Sequence, residues 1–222
     1  MNKKFYVFML VAAMTASYAQ AQINFGARAG FSLTNFSQSY DGKKPDKEDR
    51  SKMKPGFQIG VTGEYALSDV FAVQSGLLIA TQGAVFKGTD VDEDFGKTEW
   101  KAKASLTYLH VPFNALYLMD LGGTKLALHA GPCVGIALAG KAKSEETWGG
   151  KTETSEVKYE FGSGLLQMRR LDLSLGLGAA LQFSSIRAGL SYNIGLANLS
   201  NADKYVQRNN GLTLSLTYLF GM

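Results

Sequence analysis

Only one cysteine, Cys133, occurs in the chain, which excludes an intrachain disulfide, a thiolate zinc site and a CxxC redox motif. Cys133 itself reads as a small, half-buried residue. Proline is also scarce, 4 residues against 25 glycines, a balance that is not collagen and does not by itself mean disorder. Past the N-terminus no stretch reaches the 18 consecutive apolar residues expected of a membrane helix, so any membrane crossing must be made by strands. Neither sign of charge dominates: 23 Lys and Arg stand among 19 Asp and Glu, for a net +4. The basic residues are spread through segments that read as loops, which argues against nucleic acid as a partner.

What is present begins with an address. Lys3 and Lys4 precede an apolar run, 5–13, and then small residues ending in Ala19-Gln20-Ala21. That is the order of a secretory signal peptide, and the run is too short to span a bilayer as a helix. Residues 1–21 are expected to be a signal peptide and 22–222 a single mature domain beginning at Gln22.

From Ile23 the side chains alternate. Ile23, Phe25, Ala27, Ala29, Phe31 and Leu33 fall on one face, and Asn24, Gly26, Arg28, Gly30 and Ser32 on the other. This is the period of a strand with two unlike faces. The alternation returns at 57–65, 73–79, 109–117, 126–136, 171–183, 186–194 and 212–220, giving eight strands. In the sixth, Leu171, Leu173, Leu175, Leu177, Leu181 and Phe183 oppose Asp172, Ser174, Gly176, Gly178 and Gln182, a set that a helix would scatter around its circumference.

The connections alternate in length. Segments 66–69, 120–124 and 184–185 are short, whereas 34–55, 82–104, 139–170 and 197–210 are long and polar. Short and long ends then lie on opposite rims, the asymmetry of outer-membrane barrels with short periplasmic turns and longer extracellular loops. The second face of each strand decides which side meets lipid. In a soluble barrel with its apolar face inward, the other face would be rich in Lys and Glu. Here it is mostly Gly, Ser, Thr, Asn and Gln, small polar residues that suit the crowded lumen of a narrow barrel. Aromatic residues near many strand ends, among them Phe31, Phe57, Tyr65, Phe71, Tyr117, Phe183, Tyr192, Tyr218 and Phe220, fit girdles at the membrane interfaces.

The segments Ile23-Asn24-Phe25-Gly26-Ala27-Arg28-Ala29-Gly30-Phe31, Tyr108-Leu109-His110-Val111-Pro112-Phe113, Ala130-Gly131-Pro132-Cys133-Val134-Gly135 and Leu175-Gly176-Leu177-Gly178-Ala179 resemble those of the PorT-like outer-membrane β-barrel family. The likeness runs along essentially the whole mature chain, through short motifs that record strand packing rather than chemistry. That family usually carries an acid where His110 stands, and many such barrels end on an aromatic residue, whereas Gly221 and Met222 follow Phe220 here. The resemblance implies a membrane barrel, with a role in protein secretion for one branch.

His110, His129, Asp172 and Ser174 share the lumen face, so the ingredients of a Ser-His-Asp site are present. Strand counting places His129 near the short-turn rim and Asp172 roughly 15 Å toward the other end. A hydrogen-bonded triad needs about 3 Å between partners, so polar packing is the expected role. Arg28 and Glu64 also face the lumen near the short-turn rim, where an ion pair is expected, extended by Gln74, Lys125 and Arg187. Such a network is either a plug that satisfies buried groups or a gated ion path.

The first loop carries charges of both signs, Asp41, Lys43, Lys44, Asp46, Lys47, Glu48, Asp49 and Arg50, which favours a solvated surface. Trp100 and Trp148 in polar segments either anchor a ligand or pack on a strand that continues above the membrane. Gly149-Gly150 and Gly162-Ser163-Gly164 are turn signals without a phosphate-loop context.

Together these observations predict an all-β protein: an eight-stranded antiparallel up-and-down transmembrane β-barrel in the bacterial outer membrane, with no cofactor, metal site or catalytic activity. Its expected partners are outer-membrane lipids and a protein or glycan ligand at the extracellular loops. A narrow pore for ions or small solutes and a lipid-modifying enzyme are the alternatives.

Overall fold

The computed structural model describes residues 23–46, 50–92, 96–148, 151–165 and 167–220. The expected signal peptide, the cleavage before Gln22, Lys47, Glu48 and Asp49, the Gly149-Gly150 turn and the closing Gly221-Met222 lie outside the described residues. No described residue is helical. The chain forms nine strands: β1 (Ile23–Tyr40), β2 (Lys52–Ala66), β3 (Phe71–Asp92), β4 (Gly96–Asp120), β5 (Lys125–Trp148), β6 (Lys151–Lys158), β7 (Leu171–Phe183), β8 (Ile186–Gly195) and β9 (Tyr205–Phe220).

Eight of them close a ring. Each consecutive pair is antiparallel, β5 passes directly to β7, and β1 pairs with β9 from Phe25↔Phe220 to Tyr40↔Tyr205. A closed barrel has no sheet edge and satisfies every strand from its neighbours, the condition for crossing hydrocarbon without a helix. The ninth strand, β6, pairs only with the far end of β5, from Lys141↔Lys158 to Trp148↔Lys151. All eight of its residues are exposed, so no apolar alternation marks it in the sequence.

The long polar segments are the main correction to the sequence reading. Most of their length is strand. The β3–β4 ladder runs on to Asp92↔Gly96, and the β4–β5 ladder to Glu99↔Thr147. Beyond the hydrocarbon both faces of a strand are wet, so the hydrophobic signal fades while backbone pairing continues. The short connections, by contrast, fall where the sequence puts them. Ser184 (φ 51°), Gly122 (φ 80°) and Gly123 (φ 95°) occupy the left-handed conformation that tight turns require. Asp120 Oδ1 accepts the Gly122 N–H at 2.8 Å.

The two faces are as unlike as the alternation predicts. Phe25 is 62% exposed on the outer wall and Leu214 60%, while Glu64 (3%) and Thr217 (1%) point inward. An outer wall of exposed Phe, Leu, Ile and Val around a polar interior inverts a soluble protein and is stable only in lipid. Aromatic pairs mark its lower border: Phe71 and Tyr117 have ring centroids 5.2 Å apart, and Tyr218 and Phe220 5.4 Å. On the opposite side of the wall Phe31 stands beside Phe57.

Candidate functional site

Near the short-turn rim the lumen is filled by one hydrogen-bonded group. Glu64 of β2 receives Arg187 of β8 through two bonds, Nη1 to Oε2 at 2.6 Å and Nη2 to Oε1 at 3.2 Å. Arg187 also donates to Gln182 Oε1, from Nη2 at 2.6 Å and Nε at 3.1 Å. Gln74 bridges the other arginine into the group: its Nε2 donates to Glu64 Oε2 at 3.2 Å, and its Oε1 accepts Arg28 Nη2 at 2.8 Å. Arg28 Nε then donates to Thr217 Oγ1 at 3.0 Å.

The direct ion pair is therefore Glu64–Arg187, with both side chains 4% exposed, and not Arg28–Glu64 as expected from the sequence. Alternation fixes which face a residue occupies but not which strand it meets across the lumen. Lys125 has inward parity, but it stands exposed at the first position of β5, where water solvates it, and it does not extend the group.

Farther up, His129 meets Ser191, Nε2 to Oγ at 3.1 Å. Gly178 makes room for it, since a Cβ there would lie 2.7 Å from the imidazole. Asp172 is six residues from Gly178 along β7 and engages Asn209 instead, whose Nδ2 donates to Asp172 Oδ2 at 2.7 Å and to the Tyr108 hydroxyl at 3.3 Å. His110 approaches Asp172 across Gly135, where an added Cβ would lie 3.2 Å from both side chains. Ser174 is opposite Cys133. Among the described residues, no serine, histidine and carboxylate form a hydrogen-bonded chain. The interior space between these groups is about 40 Å³ near His110 and His129 and about 10 Å³ between Arg28 and Arg187, room for a few waters at most.

The extracellular mouth is closed by apolar side chains. Phe36, Ala84, Ala104, Leu106, Tyr108 and Ala137 line it, and Met168 and Leu199 descend into it from the β6–β7 and β8–β9 connections. Backbone bonds hold this cover down: Ala137 N–H donates to Arg170 O at 2.8 Å and Arg169 N–H to Leu199 O at 2.9 Å. Asn201 Nδ2 donates to the carbonyls of Gly162 and Gln167, each at 2.9 Å. Sequence reasoning missed this lid, because Met168 and Leu199 fall outside the alternating runs, in connections that carry no periodicity. Leu199→Asp should unseat it, since a fully buried leucine becomes a carboxylate among apolar walls. Trypsin cleavage after Arg169 or Arg170 in the folded protein should then rise by on the order of tenfold or more, for a local opening penalty reduced by about 1.4 kcal/mol. Unchanged cleavage would mean that Leu199 does not hold the lid.

Above the mouth, β3, β4, β5 and β6 continue as a sheet outside the barrel. Trp100 is half-buried over Gly88 of β3, where a Cβ would meet its ring at 2.5 Å, so it packs on a strand extension. Trp148, at the end of β5, is 39% exposed.

A closed ring of eight strands with a lipid-facing wall and a polar, plugged interior defines the class of small outer-membrane barrels. Residues 18–201 match the family described as outer membrane protein beta-barrel domain, and the chain belongs to that family. The protein accordingly resides in the bacterial outer membrane, among its lipids. A comparison with curated proteins found no match. Among solved structures, the chain is similar to Ail, the attachment invasion locus protein of Yersinia pestis, in complex with the heparin analogue sucrose octasulfate, at 17% identity and a TM-score of 0.36, covering 90% of this chain and 99% of that one. It is also similar to Neisserial surface protein A, at 13% identity and a TM-score of 0.38, over 87% of this chain and 96% of that one. An outer membrane channel from Pseudomonas putida F1 is similar at 12% identity and a TM-score of 0.32, over 90% and 96%.

Proposed function

We propose that this chain is a non-enzymatic surface protein of the outer membrane that acts through its extracellular sheet and binds a protein or glycan there. The observation that carries this reading is the division of the molecule: the lumen is packed by the Glu64–Arg187 group below and the Met168–Leu199 lid above, while β3, β4, β5 and β6 extend past the membrane as a sheet. Surface loops and extensions on a rigid barrel are where binding residues are commonly placed. The separation of Ser174, His129 and Asp172 supports the absence of hydrolytic chemistry. The resemblance to PorT-like barrels adds assistance to secretion as the form such a surface role takes.

Single-channel recording tests the reading against a pore. The purified protein in planar bilayers is expected to give no stepwise conductance, and regular openings of the unmodified protein would favour the narrow pore instead. Outer-membrane lipids from cells with and without the protein should have the same acyl composition; a protein-dependent change would point to a lipid-modifying enzyme.

A further inference from the structure

The outward face of the extracellular sheet carries a concentration of lysines. Lys87 of β3 is opposite Lys101 of β4, and Lys103 of β4 is opposite Lys143 of β5. One row nearer the membrane, Lys141 of β5 is opposite Lys158 of β6. All six share the parity of the lipid-facing residues Leu109, Val111 and Phe113 of β4, so they project away from the barrel axis, as those residues do. The other face of the same sheet holds Ala84, Phe86, Trp100, Ala102 and Ala104.

Three glutamates, Glu99, Glu145 and Glu156, share the face with the six lysines. Glu145 contacts Lys103 at 3.5 Å and Lys143 at 3.1 Å, and Glu156 contacts Lys141 at 3.0 Å. The positive charge stays in excess, and the adjacent Lys103 ammonium, with Lys87 farther off, holds Lys101 below the usual lysine range. Crowded like charges of this kind are relieved by an anion.

We propose that this lysine face binds the phosphate groups of anionic lipid headgroups in the outer leaflet. Height and direction select that occupant over a soluble one. Lys141 lies three residues beyond Leu138, the last large aliphatic side chain exposed on β5. That is about 10 Å along the strand, at the level of headgroups rather than above them. The face looks sideways along the membrane plane, where a ligand arriving from the medium meets lipid first. Lysine ammoniums act as point charges toward phosphate, without the fixed geometry of an arginine fork. The inference concerns the outward face only and is independent of what the sheet binds from the medium.

The test uses the full chain refolded in zwitterionic detergent, with lipid A, lipid A stripped of its phosphates, and phosphatidylcholine as probes. Lipid A is expected to bind the protein well above phosphatidylcholine. The triple variant Lys101→Gln/Lys103→Gln/Lys143→Gln should bind it more weakly by on the order of a hundredfold, from about fivefold per lysine. A control triple variant at Lys44, Lys125 and Lys204, which lie off this face, should bind like the wild type. Dephosphorylated lipid A should bind no better than phosphatidylcholine. Equal binding by the two triple variants, or undiminished binding of dephosphorylated lipid A, would overturn the proposal. So would a soluble sulfated polysaccharide whose binding the first triple variant abolishes while lipid A binding is kept. Unboiled gel mobility of each variant, unchanged from wild type, verifies that only the surface has been altered.

Discussion

Arg187→Ala should destabilise the folded barrel by about 3–5 kcal/mol, because it leaves the Glu64 carboxylate buried with its charge uncompensated. Glu64 is 3% exposed, and its remaining contact would be Gln74 Nε2 at 3.2 Å. The pair itself is worth far less than that figure, since both ions lose water to meet each other. For the same reason, Glu64→Gln/Arg187→Gln should recover most of the loss: two amides can bond to one another and to Gln74 or Gln182 without a bare charge. Denaturant titration of both variants in vesicles, followed by the mobility of unboiled samples, gives the comparison. A loss for Arg187→Ala below about 1 kcal/mol would be the value for a solvated pair. Water would then reach Glu64 freely, the lower plug would be wet, and the pore reading would gain the support it now lacks.

How much of this arrangement was legible in the sequence follows from what each signal can carry. Period-2 alternation is a local property, so the barrel strands and their two faces could be read directly, as in Leu171 to Phe183 with Asp172 and Ser174 inward. The Glu64–Arg187 bond joins residues 123 apart in the chain, and nothing local marks it. Arg28, on the strand that pairs directly with that of Glu64, is the natural but incorrect partner for direct pairing. Lys125 shows the same limit in the axial direction, because parity says inward or outward and only the register says that it ends at the rim.

The upper part of the molecule was illegible for a different reason. Segments such as Lys151–Lys158 pair along one edge yet bury no side chain, so strand and polar loop look alike in composition. In the sequence Trp100 reads equally as an anchor or a packing residue, and what places it on a strand extension is Gly88, twelve residues away, whose missing side chain leaves room for the indole. The lid depends on Met168 and Leu199, residues outside any alternating run whose significance lies in where their connections fold back.

The assignment of the wall to lipid has a sharp energetic consequence in β7, where Leu175 and Ser174 are neighbours pointing opposite ways. Leu175 is 40% exposed on the outer wall beside Pro132 and Ile194, whereas Ser174 is 9% exposed in the lumen opposite Cys133. Leu175→Arg should cost about 2–4 kcal/mol, since the guanidinium must enter hydrocarbon near the middle of the strand. Leu175→Ala should cost less than about 1 kcal/mol, because acyl chains close around the shortened side chain; in a packed protein core the same truncation costs about 2–5 kcal/mol. Ser174→Arg is the control for the opposite face. It brings a cation toward Asp172, two residues away on the same side of β7, and meets crowding worth about 1–3 kcal/mol, partly offset by that carboxylate. The diagnostic quantity is the contrast at Leu175, a large penalty for charge with a small one for truncation, measured by denaturant titration in lipid vesicles. A costly Leu175→Ala together with a tolerated Leu175→Arg would place Leu175 against protein, and the inward assignments of Glu64, Asp172 and Arg187, which share one alternation with it, would have to be reversed.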